Sequence, residues 1–382
     1  MENKFKKKQN KNCKLVDSTY KKDDCIFLLK DLTKDMPDTS LEEKEKMIAN
    51  GVNYSEMISK ESYMDNEVNQ QFKDILHRTK DRIALCTITV AEKILQDYGK
   101  NIVLVSLARA GTPVGILIKR YINTYKNINV KHYSISVIRE VGIDENALLT
   151  ILKENPNKKP IFIDGWTGKG SIYNELEKTL NEFNMKHNLI GSKKIENVFA
   201  VLADPAHIAN IYGTRKDICI ANSCLNSTVS GLVSRTIFNR NYINEKDYHG
   251  AKYYKDLKNQ DFSNYFIDTI CKQIEKYKDS KIEHYSKSNK KIPMEEPDRD
   301  YSKKVVEELK KQKGEHVEWN KVKLSIGETT RAILRRSPKV IYVQDINNPD
   351  LDFIKLMAKK RDVEIIEGLD KRFGYECIGI LN

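Results

Sequence analysis

The sequence predicts an α/β fold, with an open parallel sheet flanked by helices and a small C-terminal α/β sandwich. Between residues 100 and 240, short apolar segments of strand length alternate with amphipathic helical segments. Such alternation is typical of a parallel sheet with helices on both faces. A polar segment with two prolines at residues 280–300 then separates a shorter region of alternating helices and strands. The 382 residues suffice for two or three domains.

Composition narrows the classes of protein that the chain can belong to. With 40% hydrophobic and 31% charged residues it is globular, and its net charge of +12 favours polyanionic or phosphate-bearing partners. No apolar run approaches the roughly 18 residues of a membrane span, and no apolar segment of a secretory signal follows the basic start. The seven cysteines form no CxxC pair, which indicates reduced thiols and a cytoplasmic location.

The expected elements divide the chain into four regions. Residues 1–39 are a basic N-terminal extension. Its first part, to about residue 31, is interpreted as a solvated tail, with a weak nucleic-acid-binding arm as the alternative. Residues 40–240 hold the main domain, with strands expected at 101–107, 132–138, 160–163, 197–202 and 217–221 and helices at 40–60, 67–97, 114–122, 145–153, 172–183 and 228–238. Residues 241–315 hold helices at 261–279 and 303–313 and a linker between them. Residues 316–382 form the sandwich, with helices at 325–336 and 350–360 and strands at 339–344, 363–366 and 375–381.

A glycine-rich loop follows the third expected strand and leads into a helix at residues 164–171. Glycines let backbone N–H groups approach an anion closely, and a helix N-terminus adds partial positive charge. The loop offers one carboxylate, three glycines, two hydroxyls and one ammonium group, from Asp164, Gly165, Gly168, Gly170, Thr167, Ser171 and Lys169. Its spacing is not that of a Walker A loop. It predicts a phosphate site in which the carboxylate holds ribose hydroxyls or a hydrated Mg²⁺, with an ordinary strand–helix turn as the alternative.

A second candidate anion loop, residues 109–113, follows the first core strand. Ligands of open α/β sheets bind beyond the carboxyl ends of the strands, so two such loops at one edge predict a phosphate-binding cleft. Arg109 is suited to hold a phosphate bidentately. Arg215 and Arg235 are further anion candidates, with surface ion pairs as the alternative.

Five motifs within residues 100–239 resemble a phosphoribosyltransferase-like domain, and more narrowly the StiP family found beside bacterial tellurium-resistance and stress genes. They are VSLARAGTPVG (105–115), HYSISVIR (132–139), IFIDGWTGKGSI (161–172), LADPA (202–206) and YGTRKDICIANSCLNSTVSGLVSRT (212–236). The resemblance implies a pyrophosphate loop at residues 109–112, which contains Ala110, Gly111 and Thr112. It also implies that residues 164–171 bind the 5-phosphate and ribose of phosphoribosyl pyrophosphate. Arg139, in the second motif, is a further candidate for phosphate or ribose binding.

The chain departs from this pattern at the end of the third strand. Ordinary phosphoribosyltransferases have two adjacent acids there, whereas Asp164 is followed here by Gly165 and Trp166. Asp204, at the end of a neighbouring expected strand, is the candidate for the second acid. We therefore expect Asp164 and Asp204 to share a Mg²⁺–ribose site.

Cys224 introduces a second chemistry, because members of the StiP family are also identified as cysteine proteases. The thiol follows an expected strand and precedes an expected helix, and a helix N-terminus favours the nucleophilic thiolate. His132 and His207 are candidate bases. A small buried packing residue is the alternative for Cys224.

The C-terminal region carries a cluster of positive charge between residues 321 and 339. The segment Ile-Gly-Glu-Thr-Thr-Arg-Ala at 326–332 and the order of elements resemble the Pelota-type RNA-binding domain. The candidate RNA-binding residues are Lys321, Lys323, Gly327, Arg331 and Arg335, and the two arginines share one helix face. A solvated amphipathic helix is the alternative. Kink-turn binders of this fold place an asparagine where Gly327 stands, so only general RNA binding is expected.

These observations lead to three hypotheses. The main one is a phosphoribosyltransferase-like enzyme that uses phosphoribosyl pyrophosphate or a related nucleotide with Mg²⁺, in which Arg109 and Lys169 neutralise phosphate charge and the C-terminal domain binds RNA. The second is a cysteine hydrolase on the same scaffold, with Cys224 as the nucleophile. The third is a non-catalytic regulator that senses a nucleotide and binds RNA.

Overall fold

The structure is a computed structural model that describes residues 13–61, 63–278, 292, 294–314 and 317–382. Its larger part is built on six strands: β1 (Ile26–Phe27), β3 (Ile102–Leu107), β4 (His132–Ile135), β7 (Lys159–Trp166), β8 (Phe199–Ala203) and β9 (Ile211–Thr214). They form a parallel sheet in the order β1-β4-β3-β7-β8-β9. Two smaller ladders pair β2 (Lys30–Asp31) with β10 (Gly250–Ala251) and β5 (Val137–Ile138) with β6 (Gly142–Ile143).

Helices cover both faces of this sheet, as the alternating pattern predicts. They are α2 (Asn66–Tyr98), α3 (Gly111–Tyr125), α4 (Glu145–Glu154), α5 (Ser171–Lys186) and α6 (Ser263–Tyr277), whereas α1 (Leu41–Ala49) contributes no residue to either core. One apolar core lies between the sheet and α2, α3 and α6, and a second lies between the opposite face and α4 and α5. β3 is buried along its whole length, because a parallel strand is covered on both faces. No helix among the described residues is both long and apolar enough to cross a membrane.

The C-terminal part is a smaller mixed α/β unit. Its elements are α7 (Tyr301–Lys313), β11 (Val322–Leu324), α8 (Ile326–Arg335), β12 (Val340–Val343), α9 (Asp352–Arg361), β13 (Glu364–Glu367) and β14 (Cys377–Ile380). The strands are ordered β11-β14-β12-β13, and only the β12–β13 pair is parallel. Together with the larger sheet, this unit confirms the predicted fold class of an α/β sheet with a small C-terminal sandwich.

Two expected elements near Cys224 are wrong. Residues 217–221 do not form a strand, because their polar groups bind the C-terminal unit: the Asp217 carboxylate accepts from Ile326 N at 3.0 Å, and Cys219 N donates to Asp350 at 2.9 Å. Residues 228–238 do not form a helix. After a 3-10 turn at Ser227–Val229 the backbone of Leu232 is left-handed, with φ of 59°, which breaks any helix.

The described part of the N-terminal extension is not a solvated tail. β1 pairs with β4, and Leu29 and Leu32 are fully buried. The lysines of residues 1–12 and most of the expected linker lie outside the described residues. Residues 13–39 therefore belong to the larger unit.

Strand order fixes where a site can form. β4 lies on one side of β3 and β7 on the other, and the helices that follow β3 and β7 pack on opposite faces of the sheet. A crevice opens at the carboxyl edge of a sheet where the direction of winding changes in this way. The loops at residues 108–110 and 167–170 both lie at this point.

Candidate functional site

A cleft of about 570 Å³ lies at this edge of the sheet, between the larger unit and the C-terminal unit. One wall consists of the loops after β3 and β7 and the start of α5, with Arg139 and Arg235 beside them. The other wall consists of α8 and the end of β11, with Lys323, Arg331 and Arg335. The predicted phosphate loops and the predicted RNA-binding helix therefore face the same cavity.

The glycine-rich loop at 164–171 packs against the C-terminal unit. A Cβ on Gly168 would lie 2.1 Å from Glu328 Cγ and 2.9 Å from the carbonyl oxygen of Leu324. The carbonyl of Gly168 accepts a hydrogen bond of 2.9 Å from the Tyr375 hydroxyl. The glycine thus permits close contact between the two units at a place where the sequence predicts an approach to phosphate.

Lys169 is also held by the C-terminal unit. Its ammonium group donates to the carbonyl oxygen of Trp319 and lies 4.7 Å from the centre of that indole ring. Burial, and after it repulsion from Lys323, lowers the pKa of Lys169 to about 8. Gly170 has a left-handed backbone and leads into α5, whose first residue, Ser171, lines the cleft.

The two carboxylates predicted to share Mg²⁺ have different surroundings. Asp164 lines the cleft and accepts from Gly165 N at 2.8 Å, and burial raises its pKa to about 7. Asp204 is fully buried. One of its oxygens accepts from Thr167 Oγ1 at 2.6 Å and from Ile208 N, and the other accepts from Ala209 N and pairs with Arg215.

Both oxygens of Asp204 are therefore already engaged by protein donors, and the carboxylates do not fit a shared Mg²⁺ site in this arrangement. Among the described residues there is no group of three or more His, Cys, Asp and Glu side chains that could hold a metal ion. Arg215, a predicted anion ligand, instead completes the shell of Asp204 and stacks on Tyr212, with its guanidinium carbon 3.9 Å from the ring centre.

The loop after β3 is held together by internal contacts. Arg109 is 6% exposed and donates to Glu61 at 2.6 Å, to Asn226 Oδ1 at 2.9 Å and to the carbonyl of Val233 at 3.2 Å. These contacts occupy the guanidinium that was expected to bind pyrophosphate, although Arg109 and Ala110 still line the cleft. The neighbouring positions serve packing.

Gly111 and Thr112, which follow Arg109 in the chain, contribute to packing. A Cβ on Gly111 would lie 2.2 Å from the carbonyl oxygen of Ile163, so the glycine allows α3 to approach β7. The hydroxyl of Thr112 is buried and lies 2.8 Å from that of Ser134.

Arg139 and Arg235 differ in how they are held. Arg139 is exposed at the rim of the cleft and has no hydrogen bond or ion pair within the part of the chain that the structure describes. Arg235 is half-buried, donates to the carbonyl of Met57, and lies 5.5 Å from the ring centre of Tyr54. Its Nη1 is buried without a hydrogen-bond partner.

Cys224 does not line the cleft: it follows the 3-10 turn Ala221–Ser223 and is fully buried. Its Sγ lies 4.0 Å from Cys219 Sγ. Arg331 of α8 crosses the same turn, donating to the carbonyls of Leu225 at 2.7 Å and Asn222 at 3.2 Å. The thiol is therefore covered by a loop that the C-terminal unit holds in place.

Neither candidate base is hydrogen-bonded to Cys224 in the described part of the chain. His132 is fully buried, with Nε2 2.7 Å from Ser106 Oγ and Nδ1 2.8 Å from the carbonyl of Asp24, and burial lowers its pKa to about 4. The ring of His207 lies 4.2 Å from that of Tyr301. Among the described residues no imidazole is hydrogen-bonded to Cys224.

The predicted RNA-binding residues occupy two kinds of position. Lys323 and Arg335 line the cleft, whereas Lys321 pairs with Glu318 at 3.0 Å outside it. Gly327 packs against Trp166, and Arg331 holds the loop of Cys224. The basic face of α8 therefore points into the molecule's own cleft.

Three residues that tie this region together carry no signal in the sequence that singles them out. Glu61 bridges Arg109 and Ser227 N, the latter at 2.8 Å. Asn226 Oδ1 accepts from Arg109 and Arg331, each at 2.9 Å. Tyr375 reaches from the C-terminal sheet to Gly168. Their sequence positions are far from the loops they bind, so only the fold brings them together.

Comparison with known proteins identifies both parts of the chain. Residues 18–271 match the family described as "Tellurite-like stress resistance cysteine protease StiP", and residues 300–382 match the "PELOTA RNA binding domain". A relative from Acinetobacter baylyi named "Cysteine protease StiP" is 33% identical over 359 residues, which are 91% of this chain and 90% of the relative.

The expectation of a phosphoribosyltransferase is wrong, because the matched family and the relative are both named as cysteine proteases. The five motifs at residues 105–236 identified the narrower family, and the segment at 326–332 with the order of elements identified the C-terminal domain, but the broader enzyme class did not follow from them. The chain belongs to the StiP family and carries a Pelota-type RNA-binding domain at its C-terminal end.

Proposed function

We propose that the protein is a cysteine-dependent hydrolase of peptide bonds, in which Cys224 is the nucleophile. The observation that carries the proposal is the position of this thiol, in a buried turn whose Asn226 side chain contacts three arginines that line the cleft, Arg109, Arg331 and Arg335. The name of the Acinetobacter relative supports the same reaction class. In the reaction, Sγ attacks the peptide carbonyl carbon, the C–N bond breaks and the amine leaves with the proton that the thiol has given up. Water then hydrolyses the thioester, which releases the carboxylic acid and restores the thiol.

Arginines of both domains contact the turn that holds Cys224, and no imidazole among the described residues is hydrogen-bonded to this thiol. Arg331 lies within electrostatic range of the thiol, and Arg109 and Arg335 lie near Arg331. Burial, and after it the charges of Arg109 and Arg335, lowers the pKa of Arg331 well below its ordinary value. Arg109 and Arg335, which remain when Arg331 is replaced, can stabilise the negative charge that develops on the substrate oxygen during attack.

Access to the thiol requires the turn at residues 222–226 to open. Cys224 is fully buried, and Arg331 donates to three oxygen atoms in this turn: two carbonyls and Asn226 Oδ1. The proposed enzyme is therefore closed when the C-terminal domain is docked, and weakening the Arg331 contacts should raise its activity.

Hydrolysis of fluorescein-labelled casein tests the proposal. We expect the full chain or its Arg331→Ala variant to release labelled peptides, and we expect Cys224→Ser to abolish release in both backgrounds. Cys86→Ser is the matched control and should keep the activity, because Cys86 is also buried but lies in α2, distant in sequence from Cys224. Activity that survives Cys224→Ser, or the absence of cleavage by both the full chain and Arg331→Ala, would overturn the proposal.

We also propose that the C-terminal domain binds RNA, for which Lys323, Arg335 and the adjacent Arg336 offer positive charge on one wall of the cleft. Contacts with phosphates release counterions, so binding of a single-stranded RNA to the full chain should weaken steeply as the salt concentration rises. Binding that is independent of salt would count against this second function.

A further inference from the structure

Positive charge faces the cleft from both domains of the protein. Eight basic side chains line it among the described residues, against two carboxylates, Asp164 and Glu328: Arg109, Arg139, Lys169, Arg235, Lys323, Arg331, Arg335 and Arg336. Four of these lie in the StiP region and four in the C-terminal domain. Neither domain alone forms this concentration of charge.

Four of the basic side chains that line the cleft form no ion pair with the described part of the protein. Within the described ranges, Arg139, Lys323 and Arg336 have no side-chain hydrogen bond or ion pair, and Arg335 has a single contact of 3.4 Å with Asn226 Oδ1. This separates them from Arg109 and Arg331, whose guanidinium groups are bound by the protein itself.

These cations also act on one another. Burial lowers the pKa of Lys323, Glu328 opposes that shift, and Arg139, Arg336 and Arg335 lower it further. Arg139 belongs to the StiP region and Lys323 to the C-terminal domain, so charges on opposite walls are close enough to repel. Such repulsion is relieved by an anion that binds between them.

We infer that these four residues, Arg139, Lys323, Arg335 and Arg336, form a cationic groove that binds the phosphodiester backbone of an RNA strand across both domains. The inference rests on the RNA binding proposed for the C-terminal domain and adds that Arg139 of the StiP region contacts the same strand. A strand in this groove lies beside Arg335 and so next to Asn226, in the loop that covers Cys224.

An RNA strand fits the groove better than an acidic peptide. Arginine donates to phosphate oxygens through a planar fork, and two of the three arginines, Arg139 and Arg336, are exposed with free guanidinium groups. Tyr54 also lines the cleft, and its ring, over which Arg235 lies, is still 38% exposed and so partly accessible to a nucleotide base. The matched Pelota domain, described as RNA-binding, forms one wall.

Fluorescence anisotropy of the full chain with a labelled single-stranded RNA of about 16 nucleotides tests the groove. We expect Arg139→Ala and Arg336→Ala each to weaken binding by roughly three- to tenfold at about 0.1 M salt, and to reduce the slope of log K against log salt by about 0.7. Arg240→Ala is the matched control, because Arg240 is exposed in the same region but does not line the cleft. Neither test arginine has an internal partner to lose, so the fold is expected to persist.

The outcomes separate this inference from the proposed functions. If Arg336→Ala weakens binding but Arg139→Ala behaves like Arg240→Ala, RNA binds the C-terminal domain alone and the groove across both domains is refuted. Competition by a poly-glutamate peptide or by adenosine monophosphate at concentrations similar to those of RNA would assign the groove to acidic peptides or free nucleotides instead. If the unaltered full chain binds no RNA, both RNA proposals are overturned. The casein assay tests Cys224 independently of these results.

Discussion

Gly327 at the start of α8 lies against the indole of Trp166 at the end of β7, so that a Cβ on this residue would come within 2.3 Å of Trp166 Nε1. The contact joins the two domains at the cleft. It also explains why the asparagine of kink-turn binders is absent at this position, since any side chain there would displace the indole.

Gly327→Ala should therefore weaken the docking of the C-terminal domain. Inserting a methyl group into a packed contact costs about 1–3 kcal/mol, and we expect a lower urea midpoint and faster trypsin cleavage between the domains. Gly165→Ala is the matched control, because a Cβ there meets its nearest atom at 3.6 Å and requires no left-handed backbone. Equal stability of the two variants would contradict the close contact.

Arg331→Ala should make Cys224 more reactive. The substitution removes a charged donor from the turn at 222–226, and such hydrogen bonds contribute about 1.5–3 kcal/mol, so local opening should increase by roughly tenfold or more. Mass spectrometry of the peptide that contains Cys224 after timed iodoacetamide treatment measures the effect. Arg372→Ala, at an exposed ion pair with Asp370, should leave the rate unchanged. If Cys224 in Arg331→Ala is alkylated as slowly as in the unaltered chain, Arg331 does not restrain the turn at 222–226.

Asp164 should make stability depend on pH. Burial raises its pKa to about 7, so between about pH 4 and 7 the folded state keeps a proton that the unfolded state has lost. The free energy of unfolding should then fall as pH rises through this window and level off above it. In Asp164→Asn this fall should be smaller, whereas Asp345→Asn, at an exposed turn, should follow the unaltered protein. Urea titrations at several pH values provide the comparison.

Asp204→Asn should destabilise the protein without a change in any metal response. Arg215 would lose its buried partner, which costs about 3–5 kcal/mol when one member of such a pair is removed. Asp300→Asn is the control, since its ion pair with Lys303 is exposed and contributes about 1 kcal/mol or less. If Asp204→Asn has the urea midpoint of the unaltered protein but lacks an increase in that midpoint on addition of Mg²⁺, the carboxylate binds a metal ion and the prediction is wrong.

The parallel sheet could be predicted from the sequence because its signal is local. β3 and β7 are apolar segments of strand length, and each is followed by a helix whose apolar residues recur at helical spacing. The region after β9 could not be predicted in the same way. Asp217 and Cys219 bind backbone and side chains of the C-terminal domain, and no window of sequence contains both partners.

The glycine-rich loop shows why residue types alone did not identify the site. Glycine, threonine and lysine beside a helix N-terminus suit a phosphate, but Gly168 and Lys169 here contact Glu328, Tyr375 and Trp319. Close approach of a backbone is what glycine supplies in either case. Which partner approaches depends on a domain more than a hundred residues later in the chain.

The hydrogen bond from Tyr375 to Gly168 has a consequence for dividing the protein. A fragment that ends before residue 300 would expose the Trp166 indole and leave the Gly168 carbonyl to water. The complementary fragment would expose the Tyr375 hydroxyl and the backbone at Gly327. Separately expressed halves should therefore reassociate on mixing, which size-exclusion chromatography can measure. The contact surface between the two domains is packed like a protein core and does not act as a hinge between independent domains.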